Sequence, residues 1–193
     1  MAYLRWPQWL KDHYREIQGN ALTTTQLIRE KGLNTVCQAA NCPNRSECFG
    51  NGTATFLIMG STCTRDCRFC NIQSGAPDPL DHDEIARIVE SVGIMGLKYV
   101  VITSVTRDDL PMGGAEHFHR LAVELKNRYP EIKLEFLIPD MQGNESAMQM
   151  IADSPLDILN HNVETVAELY SQVRPQADFE RSLNVLAFFH ARG

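Results

Sequence analysis

Six cysteines, Cys37, Cys42, Cys48, Cys63, Cys67 and Cys70, fall within 34 positions of a 193-residue chain. They form two triads. Cys63-Thr-Arg-Asp-Cys67-Arg-Phe-Cys70 has the spacing C-x3-C-x2-C, and Cys37, Cys42 and Cys48 have the spacing C-x4-C-x5-C. Three clustered thiolates hold one face of a metal site. They are one short of the four that a closed zinc site or a fully ligated [4Fe–4S] cluster takes. On a cubane, three thiolates leave one iron open to a small chelating ligand, and two incomplete triads point to two clusters. Two other readings stay open from the residues alone. Three disulfides would need an oxidising compartment. A zinc site would take any four of the six, although only Cys67 and Cys70 form a C-x2-C pair.

The elements that must position these thiols alternate along the chain. Residues 1–36 look helical, with a short helix over 23–31 closed by Gly32. Residues 37–52, rich in Asn, Gly and Cys, read as an irregular loop. Apolar runs over 55–59, 99–103, 134–138 and 156–160 read as buried parallel strands. Between them, a helix opens at Asp81 with Glu84 completing a capping box, and buries Ile85, Ile88, Val89, Val92 and Met95. A second helix turns Phe118, Leu121, Ala122 and Leu125 to one face. Further helices are expected over 144–152, 164–171 and 178–191. Strand–helix alternation predicts right-handed βαβ units. The triad at Cys63 follows the first strand, at the carboxyl ends where α/β sites form. Four strands do not close a barrel.

The C-x3-C-x2-C spacing after a first barrel strand, with Phe69 before its last cysteine, resembles the radical SAM superfamily. The second triad and Cys42-Pro-Asn narrow the resemblance to the lipoyl synthase family. It continues through 32–37, 54–60, 103–115, Asn160-His-Asn-Val-Glu-Thr165 and Tyr170-Ser-Gln-Val-Arg-Pro175. The resemblance implies a partial (β/α) TIM-type barrel over 53–193, with about four of six βα units present. Residues 1–52 would be an extension carrying an auxiliary cysteine loop. It implies two [4Fe–4S] clusters. One, on Cys63, Cys67 and Cys70, would be the radical-generating cluster, its open iron chelated by S-adenosylmethionine (SAM). The other, on Cys37, Cys42 and Cys48, would be the sulfur donor. SAM is expected near Phe69, Thr103, Ser104, Gly113, Gly114, Asn160 and Asn162, where glycines would allow close approach. The implied reaction places two sulfurs at C6 and C8 of an octanoyl-lysine on a lipoyl carrier domain. Implied partners are the E2 subunits of 2-oxoacid dehydrogenases, the glycine cleavage H protein, a flavodoxin or ferredoxin electron donor, and iron–sulfur carrier proteins.

The chain departs from the family pattern at Thr106 and Met112, where acidic residues are usual, and it lacks an Arg-Ser-Ser-Tyr motif. It is therefore expected to lack a C-terminal third. An inactive fragment and a non-catalytic zinc module are the alternatives to an enzyme.

Composition limits the remaining classes. The net charge of −6 argues against nucleic-acid binding, no apolar run reaches membrane-span length, and the first residues have no secretory apolar region. A cytoplasmic location is expected. Charge is uneven, with 8 basic and 5 acidic residues up to 72 but 10 and 19 beyond. The basic set Arg5, Lys11, Arg15, Arg29 and Lys31 is a solvated face or a dock for an acidic carrier. Trp6 and Trp9 are expected to cap a neighbouring surface. His161 reads as a structural histidine or a ligand neighbour, Arg107, Asp108 and Asp109 as loop ion pairs or ligands, and His117 and His119 as helix surface.

Overall fold

The computed structural model describes residues 6–40 and 42–192. A 23-residue helix α1 (Gln8–Glu30) leads to β1 (Asn34–Thr35), α2 (Val36–Ala39), α3 (Arg45–Gly50), β2 (Thr53–Ile58), β3 (Thr62–Cys63) and β4 (Gln73–Ser74). The regular alternation follows: α4 (Glu84–Met95), β5 (Tyr99–Ser104), α5 (Ala115–Arg128), β6 (Lys133–Leu137), α6 (Glu145–Ala152) and β7 (Ile158–Asn160). Two helices, α7 (Tyr170–Val173) and α8 (Phe179–His190), come last. Strands β2, β5, β6 and β7 pair in parallel in chain order, and β1 pairs antiparallel with the outer edge of β2. This is the expected partial βα barrel.

One face of the sheet carries the main core. Ala54, Phe56, Ile58, Val100, Ile102, Leu134 and Phe136 are buried there, against the expected faces of α4 and α5. Phe118 meets Phe136 edge to face at 5.0 Å. Burial on both sides, as continuous apolar runs predict, is reached only toward the carboxyl ends, where Leu57 and Thr103 are buried on the second face. Nearer the strand starts and at the β7 edge, Thr53, Thr55, Val101, Glu135 and Asn160 on that face are only half-buried.

Several local expectations change. The N-terminal helix is not short; it runs from Gln8 and ends in a Schellman turn. Gly32, at φ +60°, donates to Arg29, and Leu33 donates to Ile28. Residues 37–52 are not irregular, because α2 and α3 fold there, the first capped by the Thr35 hydroxyl at Gln38 N–H. The capping box at Asp81 does not form. The α4 N-cap is Asp83, while Asp81 accepts from Asp83 N–H and Arg87 outside the helix. Glu84 turns inward instead, taking the N–H of Met59 at 2.9 Å and lying 2.8 Å from His117 Nε2. His117 is therefore buried rather than on the helix surface, and His119 is half-buried against Ser154.

Candidate metal centre at the strand ends

Backbone geometry at the end of β2 launches the cysteine loop. Met59 has a left-handed backbone, φ 66°, which a side chain disfavours. Two buried groups hold it: Glu84 at its N–H and Arg107 Nη1 at its carbonyl, 3.2 Å away. The loop from Cys63 to Ser74 is then clasped by its own two-residue ladder, β3 on β4.

Within the loop, Arg65 is the main anchor. Its side chain is 2% exposed and forks onto Asp108 after β5 and Asp140 after β6 at 2.6–2.9 Å. Burial opposes its charge, but the hydrogen bonds to both carboxylates outweigh that and push its pKa up. Thr64 adds hydrogen bonds to Thr106 and Asp108. Cys63 Sγ accepts the N–H groups of Arg65 and Thr106 at 3.4 and 3.3 Å, which fix the position of the sulfur. Position 106 thus serves through its backbone, and the departure there costs nothing in this contact. Met112, the other departure, packs against the core.

Cys63, Cys67 and Cys70 line a cavity of about 410 Å³ at the carboxyl ends of β2, β5, β6 and β7. Phe69, 54% exposed, stands at its edge, and Thr103, Ser104 and Asn162 also line it. Burial raises the Cys67 thiol, with Arg174 pulling it back down through its charge and a side-chain hydrogen bond. His161 donates from Nδ1 to the Ile138 carbonyl at 2.8 Å, while its Nε2 is buried without a partner among the described residues. Burial holds this imidazole below the usual histidine range. Ser104 Oγ and Arg174 Nε are likewise buried and unpartnered. His161 is thus both structural and cavity-lining.

Not every predicted residue reaches the cavity. Gly113 and Gly114 lie outside its lining; they make room for Met141 and Met59 instead, since a Cβ on Gly114 would fall 2.2 Å from Met59 Sδ. The Asn160 amide turns to Glu135 at 2.6 Å. Arg107 and Asp109 form an ion pair, which holds the Asp109 carboxyl below its usual range. The sequence reading missed Arg65 and Arg174. The signal for Arg65 was its place between two cysteines.

The other triad lies beside this cavity. Val36, Ala39 and Ala40, flanking Cys37 on α2, help line it. Cys37, Cys42 and Cys48 are all half-buried and free. The Cys48 thiol is raised by burial first, then by the nearby Cys37 and Cys42.

The three thiols of each triad, one short of a closed set, suit a cubane with one iron left open. The unpartnered polar atoms facing the same cavity suit an additional bound ligand.

A βα barrel whose first strand feeds three thiols into the strand-end cavity is the arrangement of a radical SAM protein. The family model for the Radical SAM superfamily matches residues 57–193, and the chain belongs to that superfamily. Membership implies a [4Fe–4S] cluster and SAM. Among full sequences, the chain is 51% identical over 183 residues to the lipoyl synthase of Caldanaerobacter subterraneus, covering 95% of this chain and 63% of that protein. It is 53% identical over 161 residues to the lipoyl synthase of Aquifex aeolicus, covering 83% and 58%. The chain thus spans about three fifths of the curated relatives it matches. The crystal structure of methylornithine synthase (PylB) shares the fold, with a TM-score of 0.56 at 18% identity, over 93% of this chain and 55% of that one.

Proposed function

We propose that this chain carries the catalytic half of a lipoyl synthase. The reaction inserts two sulfur atoms at C6 and C8 of an octanoyl group held on a lysine of a lipoyl carrier domain. One observation carries the reading: the cavity of the Cys63 triad is walled in part by α2, the helix bearing Cys37. A second thiol triad beside the cavity of the first supports a reading in which a radical source and a sulfur source serve one substrate. When bound, the clusters supply reductive cleavage of SAM and sulfide for transfer. The protein's own groups bind and orient. Cys63, Cys67 and Cys70 hold the first cluster, and Cys37, Cys42 and Cys48 the second. Thr103, Ser104 and Asn162 face SAM, and the apolar wall of Val36, Leu137 and Ile138 excludes water from it.

The partners are octanoylated carrier domains, a low-potential flavodoxin or ferredoxin and iron–sulfur carriers, in a cytoplasmic setting. Lys11 and Arg15 on α1 belong to the basic face that would meet an acidic carrier; Arg5 lies outside the described residues. Exposed Arg15 is shared with Asp12 at 3.2 Å.

Iron and acid-labile sulfide per chain, after anaerobic reconstitution, test this. About eight irons are expected, with roughly half lost in Cys37→Ala and half in Cys63→Ala. Zinc without iron would overturn the reading.

A further inference from the structure

Three arginines are buried at the strand ends, and two have carboxylate partners. Arg65 meets Asp108 and Asp140, and Arg107 meets Asp109. Arg174 differs. It is 9% exposed, and its hydrogen bonds run to neutral oxygens, the Asn162 carbonyl at 2.9 Å and the Tyr170 hydroxyl at 3.0 Å. Among the described residues no carboxylate pairs with it. A buried cation without a counter-charge is costly.

Its position says where that counter-charge lies. Arg174 lines the same cavity as Cys63, Cys67 and Cys70. The guanidinium is fixed: the Tyr170 ring lies 5.4 Å beneath it, and the Tyr170 hydroxyl is held by Ser182 at 2.8 Å. The cysteine loop is strapped to the same segment, with Arg68 N–H on the Val173 carbonyl at 3.0 Å and Asp66 N–H on Gln176 at 3.2 Å.

We propose that Arg174 is an electrostatic positioning residue for the first triad, its charge facing the thiolates and raising the reduction potential of the cluster they hold. This rests on the cluster assignment made above. Adding one electron makes a thiolate-bound cluster more negative, and a nearby cation favours that state. The electron comes from a low-potential one-electron donor.

The test is mediated redox titration without SAM, in a background with Cys37, Cys42 and Cys48 changed to Ala so that only one cluster is read. Arg174→Gln should lower the reduced-to-oxidised ratio at a fixed poise about tenfold, or about 59 mV for one electron. Arg174→Lys should recover part of the shift. Tyr170→Phe keeps the ring but removes the hydroxyl, and should shift the ratio in the same direction by less. An unshifted ratio with normal iron content would overturn the proposal, and if Arg174→Gln fails to fold, unshifted ratios in Arg174→Lys and Tyr170→Phe would do the same. Lost SAM affinity with an unshifted ratio would assign the cation to a ligand carboxylate instead. Absence of iron from the parent would sink the cluster assignment itself, and this inference with it.

Discussion

Asn71 donates a hydrogen bond of 2.7 Å to the carbonyl of Ala39, joining the loop behind Cys70 to the helix that carries Cys37. The bond lies at the surface, so its net worth is modest, about 1 kcal/mol. Its effect is positional. Asn71→Ala should leave the iron content unchanged while residues 36–40 lose amide protection in hydrogen exchange. Unchanged protection would mean that packing alone sets the spacing of the two triads.

Arg65 and Asp140 predict a pH dependence. Burial would raise the Asp140 carboxyl, but the Arg65 hydrogen bonds and charge overcome it and hold the group below its usual range. A depressed folded pKa contributes stability above the unfolded value, about 3.9, and loses it as pH falls through the folded value. Acid unfolding below about pH 4 should therefore be steeper in the parent than in Asp140→Asn. At neutral pH, Asp140→Ala should cost about 1.5–3 kcal/mol, because it removes one of the two carboxylates that pair with the buried Arg65 guanidinium. Urea titrations at pH 3, 4 and 7 measure both effects.

Two glycines with similar backbones should respond differently. Gly32 has φ +60° and nothing within 4 Å of a built Cβ. Gly114 has φ +90°, and its Cβ would meet Met59 Sδ at 2.2 Å. Gly32→Ala should cost about 1 kcal/mol from backbone strain. Gly114→Ala should cost a further 1–3 kcal/mol from overpacking, and should disturb the bend at Met59 that launches the cysteine loop. Equal losses in denaturant midpoint would show that Met59 moves aside freely.

Phe69 separates binding from stability. It is more than half exposed, so Phe69→Ala should move the thermal midpoint by no more than a degree or two. It stands at the cavity edge beside Cys70, so SAM affinity of the reconstituted protein should fall by roughly three- to tenfold, about 0.7–1.4 kcal/mol. Equilibrium binding of SAM reads this directly.

The cysteines and the parallel strands could be read in the sequence because each leaves a strong local signal, spacing for one and apolar runs for the other. The helix faces of α4 and α5 were legible for the same reason. What escaped depends on contacts distant in sequence. Glu84 has the spacing of a capping residue, yet a buried N–H at Met59, 25 positions away, claims its carboxylate. His117 looks like surface until that carboxylate pairs with it. Gly113 and Gly114 have the composition of a ligand loop, but two methionine side chains take the room they leave. Arg174 lies in a stretch that carries the family resemblance, but no local spacing shows that it lines the cavity of the Cys63 triad.

Both thiol triads lie in loops whose ends are already joined. Pairing of β1 with β2 closes residues 36–52, and pairing of β3 with β4, in which Cys63 itself takes part, closes residues 64–72 with Cys67 and Cys70. The loop-closure entropy of gathering each set of ligands, which grows as about (3/2)RT ln n, is thus met when the chain folds. Iron uptake should then proceed on a folded apoprotein, and air oxidation of that apoprotein should link cysteines within a triad rather than between the two.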